Sequence, residues 1–240
     1  MSLPLPEGTD VRIRRATIQT PIVPRMRLFL VALLLFLLST AAFLPTATLA
    51  QMPDDRVSEA APDSFVVAFE ASTGPFEVSV WRHWSPAAVD RLYHLVRVGY
   101  FDGAPIFRVV KGFVAQFGIP GDPAVYEAWR RMPVEDESGI ASNLRGRVSF
   151  ARGGPQTRTT QIFINVNDNV VLDTLMSNGI SGYPAFGEVT MGMAAIDSLN
   201  GDYGNGPSRR QGEIVSGGKE WLDANFPGLD WIISARLKDD

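Results

Sequence analysis

The stretch YFDGAPIFRVVKGFVAQFGIPGDP, residues 100–123, decides how the rest of this 240-residue chain is read. It holds the run PIFRVV (105–110), rich in β-branched and aromatic residues, then Lys111-Gly112, then a second run FVAQFG (113–118). Two such runs separated by turn residues read as neighbouring strands. Arg108 puts a single guanidinium inside the first run, where an unpaired charge is costly to bury. It needs either an acidic partner or a cleft that faces solvent. Simple alternation cannot place Phe113 and Gln116 on one face, so a joint role for the two requires a bulge or bend.

Outward from this stretch, more short strands are predicted at 147–152 (RVSFAR), 161–166 (QIFINV) and 185–189 (AFGEV), with a closing strand over 231–237. Residues 64–81 alternate apolar and polar on both sides of Thr73-Gly74, the period of a β-hairpin. Ser85-Pro86 supplies a helix start and Gly99 a stop, so a helix is expected over about 86–98. A second helix fits near 191–199, and a short one over 218–225, stopped by Pro227. Many short strands with few helices indicate a barrel or sandwich. In QIFINV, Ile162 and Ile164 point one way and Gln161, Phe163 and Asn165 the other. Phe163 then either lies under a loop or stands with amides in an outer groove suited to a mixed ligand such as a peptide.

Composition narrows the chemistry. A hydrophobic fraction of 45% supports a full core. The formal net charge is −4 with both signs interspersed, which argues against nucleic acid as a partner. There is no cysteine, and the two histidines, His83 and His94, belong to no HExxH-like motif. Thiolate, zinc and Ser-His-Asp chemistry are therefore unsupported, and no metal or cofactor is implied. GGPQTR (153–158) lacks the Lys-Ser/Thr of a phosphate loop and NVNDN (165–169) lacks calcium-loop spacing, so both read as loops.

Residues 28–44, LFLVALLLFLLSTAAFL, are uncharged, follow Arg25 and Arg27, and lead to Thr48-Leu49-Ala50. That is the layout of a signal peptide cut after Ala50, or of an uncleaved single-pass anchor. Either one exports the folded part to the periplasm or another extracytoplasmic place. Residues 1–50 thus form an extension with signal or anchor, 51–63 read as a polar linker, and 64–240 form the folded domain.

Three ordered segments carry a resemblance. Residues 100–123 resemble the cyclophilin segment in which Phe-x-Arg-Val precedes Gly-Phe-x-x-Gln-x-Gly; GRVSFARGGPQTRTTQIFINVNDNVVLD (146–173) is similar to the Ser-Met-Ala and Ser-Gln-Phe-Phe-Ile segments; and AFGEVTMGMAAIDSL (185–199) is similar to the Phe-Gly-x-Val strand with its Gly-Met helix. Residues 201–240 resemble the C-terminal extension of some bacterial members.

The resemblance implies a mainly β fold, a closed eight-stranded antiparallel barrel capped by two helices, with a peptide groove on its outer surface. It implies a peptidyl-prolyl cis-trans isomerase of the bacterial, exported type, needing no cofactor or metal, acting as a monomer on proline-containing peptides and unfolded proteins. By position, Arg108 matches the catalytic arginine, and Phe113, Val114, Phe163 and Leu172 match the proline pocket. Gln116, Gln161 and the backbone of Ala151 and Arg152 match the peptide-binding groups. Tyr183 is carried over as a groove residue although the family pattern has His there; Val171 replaces Trp, and Phe117 a glycine. The alternative from a different class is a proline-peptide-binding or chaperone module without catalysis.

Overall fold

The structure is a computed structural model that describes residues 51–238. The expected signal or anchor over residues 28–44 lies outside the described residues. In chain order the elements are β1 (Ser64–Ala71), β2 (Gly74–Trp81), α1 (Pro86–Arg97), β3 (Ala104–Pro105), β4 (Arg108–Val110), β5 (Val114–Phe117), α2 (Pro123–Arg130), β6 (Arg147–Phe150) and β7 (Ile162–Asn165). There follow β8 (Met176–Ser177), β9 (Ile180–Ser181), β10 (Ala185–Met191), α3 (Met193–Asp197), α4 (Gln211–Asn225) and β11 (Trp231–Leu237).

The strands form a nine-stranded antiparallel sheet in the order β3-β11-β1-β2-β10-β6-β7-β5-β4, with β8 and β9 as a separate hairpin. This corrects the expected eight strands and two helices. The run 105–110 is not one strand: β3 pairs with β11 and β4 with β5, at opposite edges of the sheet. Ile106 and Phe107 carry the chain from one edge to the other, so the edges meet through the backbone rather than through a ladder. Among the described residues there are four α-helices, against the three read from spacing and end signals and the two that the resemblance implied. The one expected over 218–225 begins at Gln211 and is interrupted at Gly218 (φ 54°, ψ −146°).

Alternation sorts each strand between two faces. Val67, Phe69, Phe76, Val78, Ala115, Phe117, Phe150, Ile162 and Ile164 all enter the main core. Phe69 stacks on its cross-strand partner Phe76 at 4.8 Å. Phe117 packs edge-on against Phe69 at 5.9 Å and Phe101 at 5.6 Å, so the departure from glycine is absorbed in the interior. At Gly118 a side chain is excluded: φ is +106°, and a Cβ would come within 2.9 Å of the Gln161 Cα. β5 and the start of β7 can therefore run close together there.

A second cluster on the outside, built from Phe107, Ile119, Ile214, Leu222 and Leu229, fastens α4 to the sheet. That packing brings the N-terminal end of α4 beside β5 and β7. The helix α1 starts at Ser85 as expected, but the Ser85 side chain does not cap it. Glu137 does so from a distant loop: its carboxylate accepts from the backbone N–H groups of Ala87 and Ala88, both at 3.1 Å. A carboxylate at a helix N-terminus satisfies free N–H groups and the helix dipole together.

Residues 51–63, read as a linker, lie against the domain instead. Met52 and Val57 pack on the core and Ala61 is buried in it. The buried Trp129 donates its indole N–H to the Gln51 carbonyl at 2.8 Å, and Ala61 N–H donates to Asp90 Oδ1 at 2.9 Å. Polar side chains help hold the segment down as well: Gln51 donates its amide to the Gly99 and Asp102 carbonyls at 3.0 and 3.3 Å, Asp54 lies 3.1 Å from His94 Nε2, and Glu59 accepts from Arg97 at 3.0 Å.

Candidate functional site

A third cluster lies on the outer wall, where Val114 from β5, Phe163 from β7 and Leu172 are buried together with Phe113, Ala151 and Tyr183 against them. They surround a cavity of about 320 Å³ open to solvent, whose lining also includes Arg108, Gln116, Arg152, Leu175, Ser208 and Gln211. That is room for a proline ring and part of its neighbours. A second cavity of about 250 Å³ adjoins it, sharing Gln116, Ala151, Arg152 and Gln211 and adding Gln161, Thr157 and Thr159. Each residue matched by position to the catalytic arginine, the proline pocket or the peptide-binding groups, and Tyr183, borders one of the two.

Neighbouring strands explain the assembly. Arg108 on β4 faces Gln116 on β5, and Gln116 faces Phe163 on β7. Phe113 needs no bulge to join them: it sits in the turn before β5, with its N–H bonded to the Val110 carbonyl at 2.9 Å, and approaches the pocket from its end. Its carbonyl accepts from Val166 N–H at 2.9 Å and from the Asn169 amide at 2.8 Å. Asn169 in turn donates to Asn165 Oδ1 at 2.8 Å. The loop NVNDN is thus a brace for the pocket.

The 3-10 turn Val170–Asp173 presents Leu172. Asp173 fixes that turn, accepting from the Ser142 hydroxyl and, at 2.8 Å each, from the backbone and side chain of Asn143. Val171, where the family pattern has Trp, is 60% exposed and does not line the cavity. Tyr183 meets Phe163 edge-on at 5.9 Å, and the Arg152 guanidinium lies 5.1 Å from the Tyr183 ring. Arg152 is itself buried, with its guanidinium bonded to the Gly182 carbonyl.

Arg108 is the charged group at the mouth. Its Nε donates to Asn205 Oδ1 at 2.6 Å and its Nη1 to Gln116 Oε1 at 3.0 Å, and its guanidinium carbon lies 5.6 Å from the centre of the Phe113 ring. Among the described residues no carboxylate pairs with it. Burial lowers its pKa, offset in part by Tyr183, but arginine stays protonated at neutral pH. Neutral oxygens hold it in place and leave its charge uncompensated.

Sequence reasoning missed Asn205, Ser208, Gln211 and Leu175. The first three come from the turn before α4 and its first residue, far from β4 in the chain, and no local pattern marks a polar turn as part of a groove.

The sequence profile described as cyclophilin type peptidyl-prolyl cis-trans isomerase/CLD matches residues 66–216. Among curated proteins, peptidyl-prolyl cis-trans isomerase A of Dickeya dadantii is 33% identical over 159 residues, covering 62% of this chain and 82% of that protein. Peptidyl-prolyl cis-trans isomerase B of Escherichia coli is 30% identical over 176 residues, covering 71% of this chain and 97% of that protein. Among solved structures, a Cryptosporidium parvum cyclophilin type peptidyl-prolyl cis-trans isomerase superposes with a TM-score of 0.54 at 19% identity, covering 74% of this chain and 99% of that one. A second structure of it, solved in the presence of the dipeptide Ala-Pro, gives a TM-score of 0.52.

Proposed function

The chain belongs to the cyclophilin-type peptidyl-prolyl cis-trans isomerases, and we propose that it rotates X–Pro bonds of exported, incompletely folded proteins by a transition-state hydrogen bond from Arg108. Rotation passes through a twisted amide that has lost its double-bond character, a barrier of ~18–20 kcal/mol that makes the uncatalysed step slow, ~10–100 s. No covalent bond is broken. The task is to bind the twisted form better than either planar isomer.

As resonance fades, the proline nitrogen becomes pyramidal and basic, so a guanidinium N–H aimed at it gains most in the transition state. The uncompensated Arg108 beside a ring-sized apolar hollow is the observation that carries this reading. An acid paired with that guanidinium would have spent its charge in the ground state. Phe113, Val114, Phe163 and Leu172 would grip the pyrrolidine ring, while Gln116, Gln161 and the backbone near Ala151 and Arg152 hold one flank and the carbonyl side turns. Lowering the barrier by ~7 kcal/mol gives about five powers of ten, within reach of one charge-assisted bond, orientation and desolvation together.

The exported setting rests on the uncharged segment 28–44 behind Arg25 and Arg27. The same reading has the domain outside the cytoplasm, working as a monomer on unfolded chains, with that segment either removed or kept as an anchor.

Arg108→Ala tests the role. Turnover in a coupled isomerisation assay is expected to fall by well over tenfold (roughly 1.4 kcal/mol or more), with the circular dichroism spectrum unchanged. Near-wild-type turnover would remove Arg108 from the mechanism and favour a binding module.

A further inference from the structure

Three amide side chains join the guanidinium to the start of α4. Arg108 Nη1 donates to Gln116 Oε1 at 3.0 Å, Gln116 Nε2 to Gln161 Oε1 at 2.9 Å, and Gln161 Nε2 to Gln211 Oε1 at 2.9 Å. Gln211 Nε2 then donates to the Ser208 carbonyl at 3.2 Å. Each amide can present its oxygen or its NH₂ to a given neighbour. The ends of this chain remove the choice, because a guanidinium only donates and a carbonyl only accepts. With Arg108 at one end and Ser208 O at the other, one orientation of all three amides satisfies every link, and bonds aligned head to tail polarise one another.

We propose that Gln211 is a positioning residue for Arg108: by accepting from Gln161 it fixes the amide orientations of Gln161 and Gln116, and so holds the guanidinium at the mouth of the proline pocket. The proposal rests on the isomerase reading above and adds to it a control point outside the sheet. The second cluster is what delivers it. Ile214 and Leu222 of α4 are buried there against Phe107, which is next to Arg108 in the chain. The helix therefore reaches Arg108 twice, through apolar packing behind β4 and through amides in front of it. Without the acceptor on Gln211, the half-buried Gln161 amide loses its partner and is free to turn over. The guanidinium still selects the Gln116 oxygen, but the Gln116 NH₂ can then face an NH₂ of Gln161, which weakens the hold of Gln116 on Arg108.

The test compares the full chain with its Gln211→Met and Gln211→Glu variants. Methionine keeps the length and removes the acceptor, whereas glutamate keeps an oxygen for Gln161. With an Ala-Pro-containing peptide, Gln211→Met is expected to lower kcat about three- to tenfold, the effect of one hydrogen bond, with KM changed less than about twofold. Gln211→Glu is expected to recover most of that loss. In ¹⁵N spectra the side-chain amide of Gln116 and the Arg108 Nε–H should shift in the methionine variant and return in the glutamate variant.

Wild-type kcat in Gln211→Met would overturn the proposal. So would a loss that glutamate does not rescue while the Gln116 and Arg108 signals stay in place, since that describes only a weakened helix. If the unsubstituted chain fails to isomerise the peptide, the isomerase reading is what fails, and the two spectra still decide whether Gln211 orients the guanidinium.

Discussion

Arg108 is held by two neutral oxygens, Asn205 Oδ1 and Gln116 Oε1. That choice separates holding a charge from neutralising it. A carboxylate in place of the Asn205 amide would bind the guanidinium more strongly, and on the proposed mechanism would for that reason compete with the imide nitrogen. Asn205→Asp is therefore expected to lower kcat by about tenfold while leaving thermal stability equal or higher. Turnover at or above wild type would show that the free charge is not what matters. Strand alternation and the cost of burying a charge marked Arg108 and Phe163 as unusual but left each with a structural alternative, and only the resemblance gave them roles. Asn205 and Gln211 were not marked at all, because their bonds span 97 and 50 positions of chain. Phe117, which stands where the family pattern has glycine, lies on the inward face and is part of the core.

At the scale of elements, hairpin, first helix and last strand followed from periodicity and end signals, whereas α2 and the β8–β9 hairpin escaped. α2 is only eight residues long and carries its signal in Asp122-Pro123, where the Asp122 carboxylate accepts from Ala124 N–H at 2.7 Å. Two-residue strands have no period to read. The contacts of segment 51–61 with the domain are not visible in its composition, because partners such as Gly99, Asp102, His94, Arg97 and Trp129 lie 38–78 positions away in the chain. A chain beginning at Pro62 would leave the Trp129 indole without the Gln51 carbonyl and Asp90 without the Ala61 N–H. Such a chain is expected to lose about 2 kcal/mol, which lowers the thermal midpoint by about 4–8 °C for a domain of this size. An unchanged midpoint would mean that the segment is a passive tail.

The loops and α1 also set the response to acid. Burial is the largest influence on Asp173 and raises its pKa, but the hydrogen bonds from Ser142 and Asn143 together win and hold it below the ordinary carboxylate value. Asp90 behaves likewise: burial raises its pKa, while Arg82 and the Ala61 N–H lower it further. Both contribute stability above the ordinary carboxylate pKa and lose it as pH falls through their depressed folded values. His94 is lowered from 6.5 by burial, which outweighs the attraction of Asp54. The unfolded chain then takes up that proton first, so stability drops as pH falls from 6.5 toward the folded pKa. The three act in one direction. Urea midpoints should fall steadily from neutral to acid pH, with His94→Gln flattening the upper part of the slope; a rise in midpoint on acidification would contradict these assignments.

For the molecule as a whole, one curled sheet separates two environments. Its inner face collects the main core, and its outer face carries the pocket cluster on one stretch and α4 on the next. The nine-strand count, with β3 and β4 at opposite edges joined through Ile106-Phe107, was not legible because a run of strand-forming residues does not say which neighbour each half will pair with. The mainly β class was legible, since it needs only the number and spacing of strands. The proposed function depends on one arrangement, an uncompensated guanidinium over a hollow lined by Phe113 and Phe163. The most direct test is NMR exchange spectroscopy on an Ala-Pro peptide, which follows cis and trans signals at equilibrium with catalytic amounts of protein. The unsubstituted chain should bring out exchange cross-peaks that the peptide alone lacks, and Arg108→Ala should abolish them while still broadening the peptide signals through binding. Equal exchange from both proteins, or none from the unsubstituted chain, would contradict the account.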